Sequence, residues 1–215
     1  MTRVKEQTIG TYLQALASTA AVPGGGSAAA LAAAMGAALV SMVAKLSAKK
    51  ARTDEIRAAL TGLVPELDQL AERLLELSQD DIDAYRAVID GRKSGAADSL
   101  LERAYERAAE VPLATASAAA RGLALAAETS KNAWDMTASD LAAGSKLLQT
   151  GIDGALANVA INLPELGGES ATRIEQSSEP SKRNVRFSPE TSVARTTDGR
   201  SGPLLWYISR RKRLG

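Results

Sequence analysis

Cysteine and histidine are both missing from this chain of 215 residues. Without cysteine no disulfide forms, which suits a cytoplasmic protein. Serine–histidine and cysteine–histidine nucleophile pairs are excluded, and so are the usual zinc sites. Any proton chemistry therefore falls to Asp, Glu, Lys or Tyr. Aromatic residues are scarce as well, at 3%. Alanine dominates the 45% hydrophobic content; as the best helix former it favours closely packed helices over a sheet. No charge of one sign predominates, and a net +1 gives the whole chain no bias toward nucleic acid or membrane. The balance is uneven, however: from Gly167 onward ten Lys/Arg stand against five Asp/Glu, a net of +5 that leaves −4 on residues 1–166. The opening MTRVKEQTIGTYLQAL has no continuous apolar stretch and reads as an amphipathic helix, so no signal peptide is expected. Residues 28–46 form the longest weakly apolar run, but alanine contributes little insertion energy and Lys45, Lys49 and Lys50 crowd its end. A membrane span is not expected there.

What is present is helical punctuation. Periodicity and breakers predict a short helix over 11–20 and a second over 27–50, opening after VPGGG. A third starts at 53 or 54, where TDEIRAAL offers a cap and early acids, and runs past Pro65 to about 90. GRKSG marks a loop, and further helices are expected over 96–109, 112–129 and 139–162. No segment sustains strand alternation, so the fold class is all-α, a bundle of about six helices. Residues 167–215 are polar, basic and aperiodic and are expected to be a disordered tail, which sets the domain boundary at 166. The closing LLWYISRRKRLG is a small apolar cluster before a basic end, read as solvated.

Several polar groups fall on apolar or small-residue faces. Leu70, Leu74, Leu77, Ala84 and Val88 follow the spacing of a buried stripe, and Asp81 falls on it. A carboxylate there is costly unless paired, and its pKa tends to rise. Either it is bonded to a neighbouring helix end or it has a functional role. The later face of Asp140, Gly144, Gly151, Ala155, Asn158 and Asn162 permits close helix approach through its small residues, with polar groups at both ends. Ser139 and Asp140 also suit a helix start. PGGGS lacks the lysine signature of a phosphate loop and the preceding strand of a dinucleotide fold. It still presents N–H groups at a helix start, which suits an anion such as a carboxylate. Lys45, Lys49, Lys50 and Arg52 complement the far end of the same helix.

TYLQALASTAAVPGGGSAAALAAAMGAALVSMVAKLS, then DIDAYRAVID, then SDLAAG followed by ALANVAINL, resembles the cyclodeaminase/cyclohydrolase family over residues 8–163. The family comprises the cyclodeaminase domain of formiminotransferase-cyclodeaminase and bacterial methenyltetrahydrofolate cyclohydrolases. The resemblance implies a cytoplasmic all-helical homodimer acting on tetrahydrofolate-bound one-carbon units, with no metal or redox cofactor and no nucleic-acid or membrane partner. It places the substrate-binding turn on Gly24, Gly25, Gly26 and Ser27, and the acid/base on Asp81 or Asp140. Ser139, Asn158 and Asn162 are further binding candidates, and Lys45, with Lys49 and Lys50, would meet the glutamate tail. Three departures stand out. Lys45 replaces a common asparagine, Trp134 and Asp135 occupy a longer loop, and a polar tail follows INL where the family continues into a long helix. The altered end motivates an alternative reading, an inactive helical dimer that binds folate or a protein partner.

Overall fold

A computed structural model describes residues 2–184, with side chains up to 181. Six α-helices follow in order: α1 Ile9–Leu16, α2 Gly25–Lys50, α3 Asp54–Ser94, α4 Asp98–Ser130, α5 Ala138–Asn162 and α6 Gly168–Asn184. Single 3-10 turns at Val4–Glu6, Asp135–Thr137 and Leu163–Glu165 join or precede them, and no strand occurs among the described residues.

The alanine-rich α2 is the central post. Ala30, Ala33, Ala37, Val40, Val43 and Ala44 are fully buried, and α3, α4 and α5 all pack against it. By length and composition α2 could cross a membrane, yet its apolar side chains supply the core of the bundle. Small residues set its approach to α5. A Cβ at Gly36 would lie 2.7 Å from the carbonyl oxygen of Gly144, and one at Gly151 would lie 2.5 Å from the Ala33 Cβ. One helix backbone thus rests on the other, as the small-residue face of α5 predicted. The pairs Gly36/Gly144, Ala33/Gly151 and Ala29/Gly154 run in opposite senses along the two chains, so the helices are antiparallel.

Local chemistry accounts for the helix ends. Thr8 and Thr53 accept from the N–H of Thr11 (3.1 Å) and Ile56 (3.3 Å), capping α1 and α3. Gly95 ends α3 at φ +63°, the left-handed position that glycine adopts without penalty. Helix α1 is therefore earlier and shorter than the expected 11–20, and α3 runs four residues beyond 90.

Two expectations fail. The helices predicted over 96–109 and 112–129 are one continuous helix, α4, which runs through Pro112. Proline lacks the N–H that would bond the carbonyl four residues back, here that of Ala108. Asn162 of α5 supplies the missing donor, its Nδ2 lying 3.0 Å from the Ala108 oxygen. With Val111 and Pro112 both buried, tertiary packing carries the helix past its breaker.

The second failure is at residue 167. The boundary expected at 166 falls inside the packed structure, because Gly168–Asn184 is helical and docks on α4. Ile174 is 1% exposed, seated against Ala109 and Val159 with Leu113, Leu163 and Leu166 around them. Ser170 bonds Glu106, and Arg173 lies 3.4 Å from Glu106 and 3.5 Å from Glu110. Ser178 and Ser181 share the buried face. A stripe built of serine around one isoleucine has helical spacing but no hydropathy signal, which is why the segment read as aperiodic. The remainder of the expected tail, with LLWYISRRKRLG, lies outside the described residues.

Candidate active site at the start of the central helix

The glycine turn places the N-terminus of α2 against the middle of α3. Gly24 is the N-cap residue and makes no side-chain cap bond. The first N–H groups of a helix have no partner within it, so acceptors must come from elsewhere. Asp81 of α3 is one of them: its carboxylate accepts from the backbone N–H of Ser27. The approach is close enough to require glycine. A Cβ on Gly26 would stand 2.1 Å from Asp81 Oδ1 and 2.7 Å from its Cγ. Asp81 points inward, as the stripe predicted.

Two influences set its proton affinity. Burial disfavours the ionised form and pushes the carboxyl up to about 6, against the smaller downward pull of the Ser27 N–H. Among the described residues no charged side chain contributes to this displacement. Its neighbours on α3 face other partners: Asp80 lies 3.5 Å from Arg73 and 3.7 Å from Arg107, and Asp83 accepts from Gln79 at 3.0 Å. The result is a carboxyl that changes protonation near neutrality beside a helix start whose Gly25 is exposed. Such a group can both accept and donate a proton at a bound substrate.

The other expected binding residues divide into two groups. Ser27 stands in the site by its backbone, while its hydroxyl is completely buried and turned away. It meets Tyr12 Oη at 3.0 Å and Ser78 Oγ at 2.8 Å. A substrate contact through the Ser27 side chain, as the resemblance implied, is not available in this arrangement. Asn158 lies beside Gly25, its Nδ2 3.7 Å from where a Cβ would stand, and donates to the Gly154 carbonyl at 2.8 Å. Asn162 is fully committed as a donor, with Nδ2 bonded to Ala108 O at 3.0 Å and Asn158 O at 2.8 Å. The bond to Ala108 O repairs the helix at Pro112.

Lys45, Ser139 and Asp140 belong to the opposite end of the bundle. Eighteen residues separate Asp140 from Asn158 on α5, and the same number separates Ser27 from Lys45 on α2. At 1.5 Å rise per residue each interval is roughly 27 Å. Lys45 pairs with Asp68 of α3 at 2.8 Å, and Ser41 donates to the same carboxylate at 2.5 Å. These bonds, that of Lys45 first, hold Asp68 below its usual range. Ser139 is exposed and does not cap α5, because Thr137 occupies the N-cap position. Nearby, Ser47 accepts from the Trp134 N–H at 2.9 Å, and the Lys50 ammonium stands 5.3 Å from the Trp134 ring centre. Lys49 is exposed at the same end. Within one chain, Asp140 and Lys45 therefore stand at the other end of the bundle from the glycine turn that Asp81 meets. Helical periodicity gives the face of a residue and not its height along the bundle.

Sequence reasoning missed Tyr12 and Ser78. Ser78 sits three residues before Asp81 on the same stripe, and a hydroxyl at that spacing was the available signal. Tyr12 offered none, since its contact with Ser27 depends on how α1 docks.

The comparisons with known proteins bear on this geometry. A family model described as formiminotransferase-cyclodeaminase matches residues 8–178, extending into α6. The methenyltetrahydrofolate cyclohydrolase of Methylorubrum extorquens is 38% identical over 116 residues, 50% of this chain and 56% of that protein. The formimidoyltransferase-cyclodeaminase of Sus scrofa is 31% identical over 164 residues, 73% of this chain and 30% of the relative. The chain thus spans about half the length of the first and under a third of the second. Among solved structures, the formiminotetrahydrofolate cyclodeaminase of Thermotoga maritima superposes with a TM-score of 0.79 at 22% identity, covering 85% of this chain and 91% of that one. At that identity the likeness establishes the fold.

Proposed function

The chain belongs to the formiminotransferase-cyclodeaminase family, and from that premise we propose that it is a folate-dependent one-carbon enzyme with Asp81 as its acid/base. The reaction is that of a formimidoyltetrahydrofolate cyclodeaminase or a methenyltetrahydrofolate cyclohydrolase. Both move a proton at a carbon held between two folate nitrogens. In the first, N10 attacks the formimidoyl carbon and gives up its proton, and the amino group leaves as ammonia after gaining one. In the second, water adds to the methenyl carbon and gives up both protons as its oxygen becomes the formyl carbonyl, while the bond to N5 breaks, N5 takes one proton and the other is released. Either asks for a group populated in both protonation states near pH 7. The observation that carries the reading is the half-buried Asp81 carboxyl, raised to about 6 and aimed at the start of α2. The Gly25 and Gly26 N–H groups there suit a carbonyl or carboxylate of the folate.

Asp81 is favoured over Asp140 because it alone of the two stands beside the glycine turn. The inactive-dimer alternative drew on a polar tail in place of a last helix, but a helix, α6, follows there and docks on α4. We also assign the working form as a homodimer. In support, Met35 (49% exposed), Ala38 and Met42 (36%) form an apolar stripe on the outer face of α2, which a second copy would cover.

The test follows the absorbance of 5,10-methenyltetrahydrofolate and, separately, ammonia release from formimidoyltetrahydrofolate. One of the two is expected to be accelerated over buffer. Asp81→Asn should lower that turnover by about 100-fold or more, the usual contribution of a general acid/base, and Asp140→Asn by less than tenfold. Full turnover in Asp81→Asn would remove Asp81 from the mechanism.

A further inference from the structure

Behind the Asp81 carboxyl lies a chain of three buried hydroxyls from three helices. Tyr12 of α1 is 4% exposed, and Ser27 of α2 and Ser78 of α3 are wholly buried. Ser27 Oγ stands in the middle, 3.0 Å from Tyr12 Oη and 2.8 Å from Ser78 Oγ. The backbone N–H of the same Ser27 donates to Asp81. One residue thus has its side chain clamped from two sides while its main chain holds the carboxylate.

We propose that Tyr12 is a positioning residue, whose hydroxyl acts through Ser27 to keep the Ser27 N–H on the Asp81 carboxylate. For its consequence on turnover the proposal rests on the function proposed above. Two features separate this role from ordinary packing. A phenylalanine would fill the cluster formed by Val4, Tyr12 and Ile82 equally well, so the buried hydroxyl is there for its hydrogen bond. And α1 is a short helix whose Ile9 and Leu13 are exposed, which leaves Tyr12 as its buried anchor. The groups around Asp81 leave few other levers. From α1 the titratable group is Tyr12, one residue removed behind Ser27. From α2 the contacts are the backbone of Gly26 and Ser27, and from α5 the nearby Asn158 is neutral. On α3 itself Asp80 is turned to Arg73 and Arg107, Asp83 accepts from Gln79, and Tyr85 is exposed. Arg86, also on α3, has an interaction of its own and does not contribute to the displacement of the Asp81 carboxyl.

The decisive measurement is the side-chain carboxyl carbon shift of Asp81 against pH in protein labelled with ¹³C-aspartate, assigned by its disappearance in Asp81→Asn. In Tyr12→Phe the Ser27 N–H is less firmly held, the ionised carboxylate loses support, and the midpoint moves up. The expected rise is about half to one unit, a three- to tenfold change in proton affinity. The acid limb of the pH–rate profile should shift with it, lowering kcat near pH 6 while KM stays within about twofold. Ser78→Ala removes the other clamp and should move the midpoint the same way, and it carries the test should Tyr12→Phe not fold. A folded Tyr12→Phe or Ser78→Ala protein whose Asp81 midpoint stays in place overturns the proposal. Full turnover in Asp81→Asn overturns the function reading instead, with the titration result standing.

Discussion

Gly26→Ala is the sharpest perturbation of the site. The added Cβ would meet Asp81 Oδ1 at 2.1 Å, Cγ at 2.7 Å and Oδ2 at 2.9 Å, so the carboxylate must retreat by about 1.3 Å to reach ordinary contact at 3.4 Å. It cannot do so and keep the Ser27 N–H, because both hang on the same helix turn. Overpacking of this kind costs about 1–3 kcal/mol, outweighing the few tenths to 1 kcal/mol that alanine gains over glycine in a helix. At roughly 2–4 °C per kcal/mol for a chain of this size, the melting temperature should fall by several degrees. Turnover should fall further, since a displacement of about 1 Å in a reacting group costs on the order of 100-fold. Calorimetry and the folate absorbance assay read the two effects on one preparation. Gly62→Ala is the matched control: nothing lies within 4 Å of its Cβ position, so it should add about 0.5–1 kcal/mol of stability and leave turnover alone. A Gly26→Ala protein with parental melting temperature and parental turnover would refute the close approach of Asp81 to α2.

Three other outcomes follow from the same geometry. The folded Asp81 carboxyl, near 6, binds its proton more tightly than the unfolded one at 3.8; this favours folding below about pH 4, fades as pH rises through 6, and weighs against the fold by on the order of 2–3 kcal/mol once the group is ionised. Asp81→Asn should therefore be more stable than the parent at pH 8 and near parity at pH 4 in thermal unfolding, and a less stable Asn variant at pH 8 would contradict the burial account. Asn162→Ala should cost about 1–2 kcal/mol by leaving the Ala108 carbonyl unpaired, and much less in a Pro112→Ala background, where residue 112 regains its own N–H; additive denaturation energies across that cycle would sink the repair role. Ile174→Ala should cost about 2–4 kcal/mol, and a chemical-denaturation midpoint unchanged from the parent would show that α6 is not docked on α4.

What the sequence by itself determined was the class of the fold and the inward direction of Asp81. Alanine content and the lack of strand alternation led to helices, and the glycine turn marked the start of α2 within two residues. The stripe through Leu74 and Leu77 turned Asp81 inward, and the small residues of α5 foretold its seam with α2. These features are local, written in composition and in a period of 3.6 residues. The rest depends on which helices meet and at what height. Pro112 breaks a helix in isolation, but Asn162, fifty residues away in sequence, supplies the donor that lets α4 continue. Helix α6 buries serines, which no hydropathy pattern reveals. Lys45, Ser139 and Asp140 share helices with the glycine turn or with Asn158, yet stand roughly 27 Å from them, since a helix carries its residues 1.5 Å apart along an axis that face periodicity ignores. And the hydroxyl of Tyr12 reaches Ser27 only because α1 folds back on the junction of α2 and α3. Long-range contact was the deciding physics each time, and it resides in the tertiary structure alone.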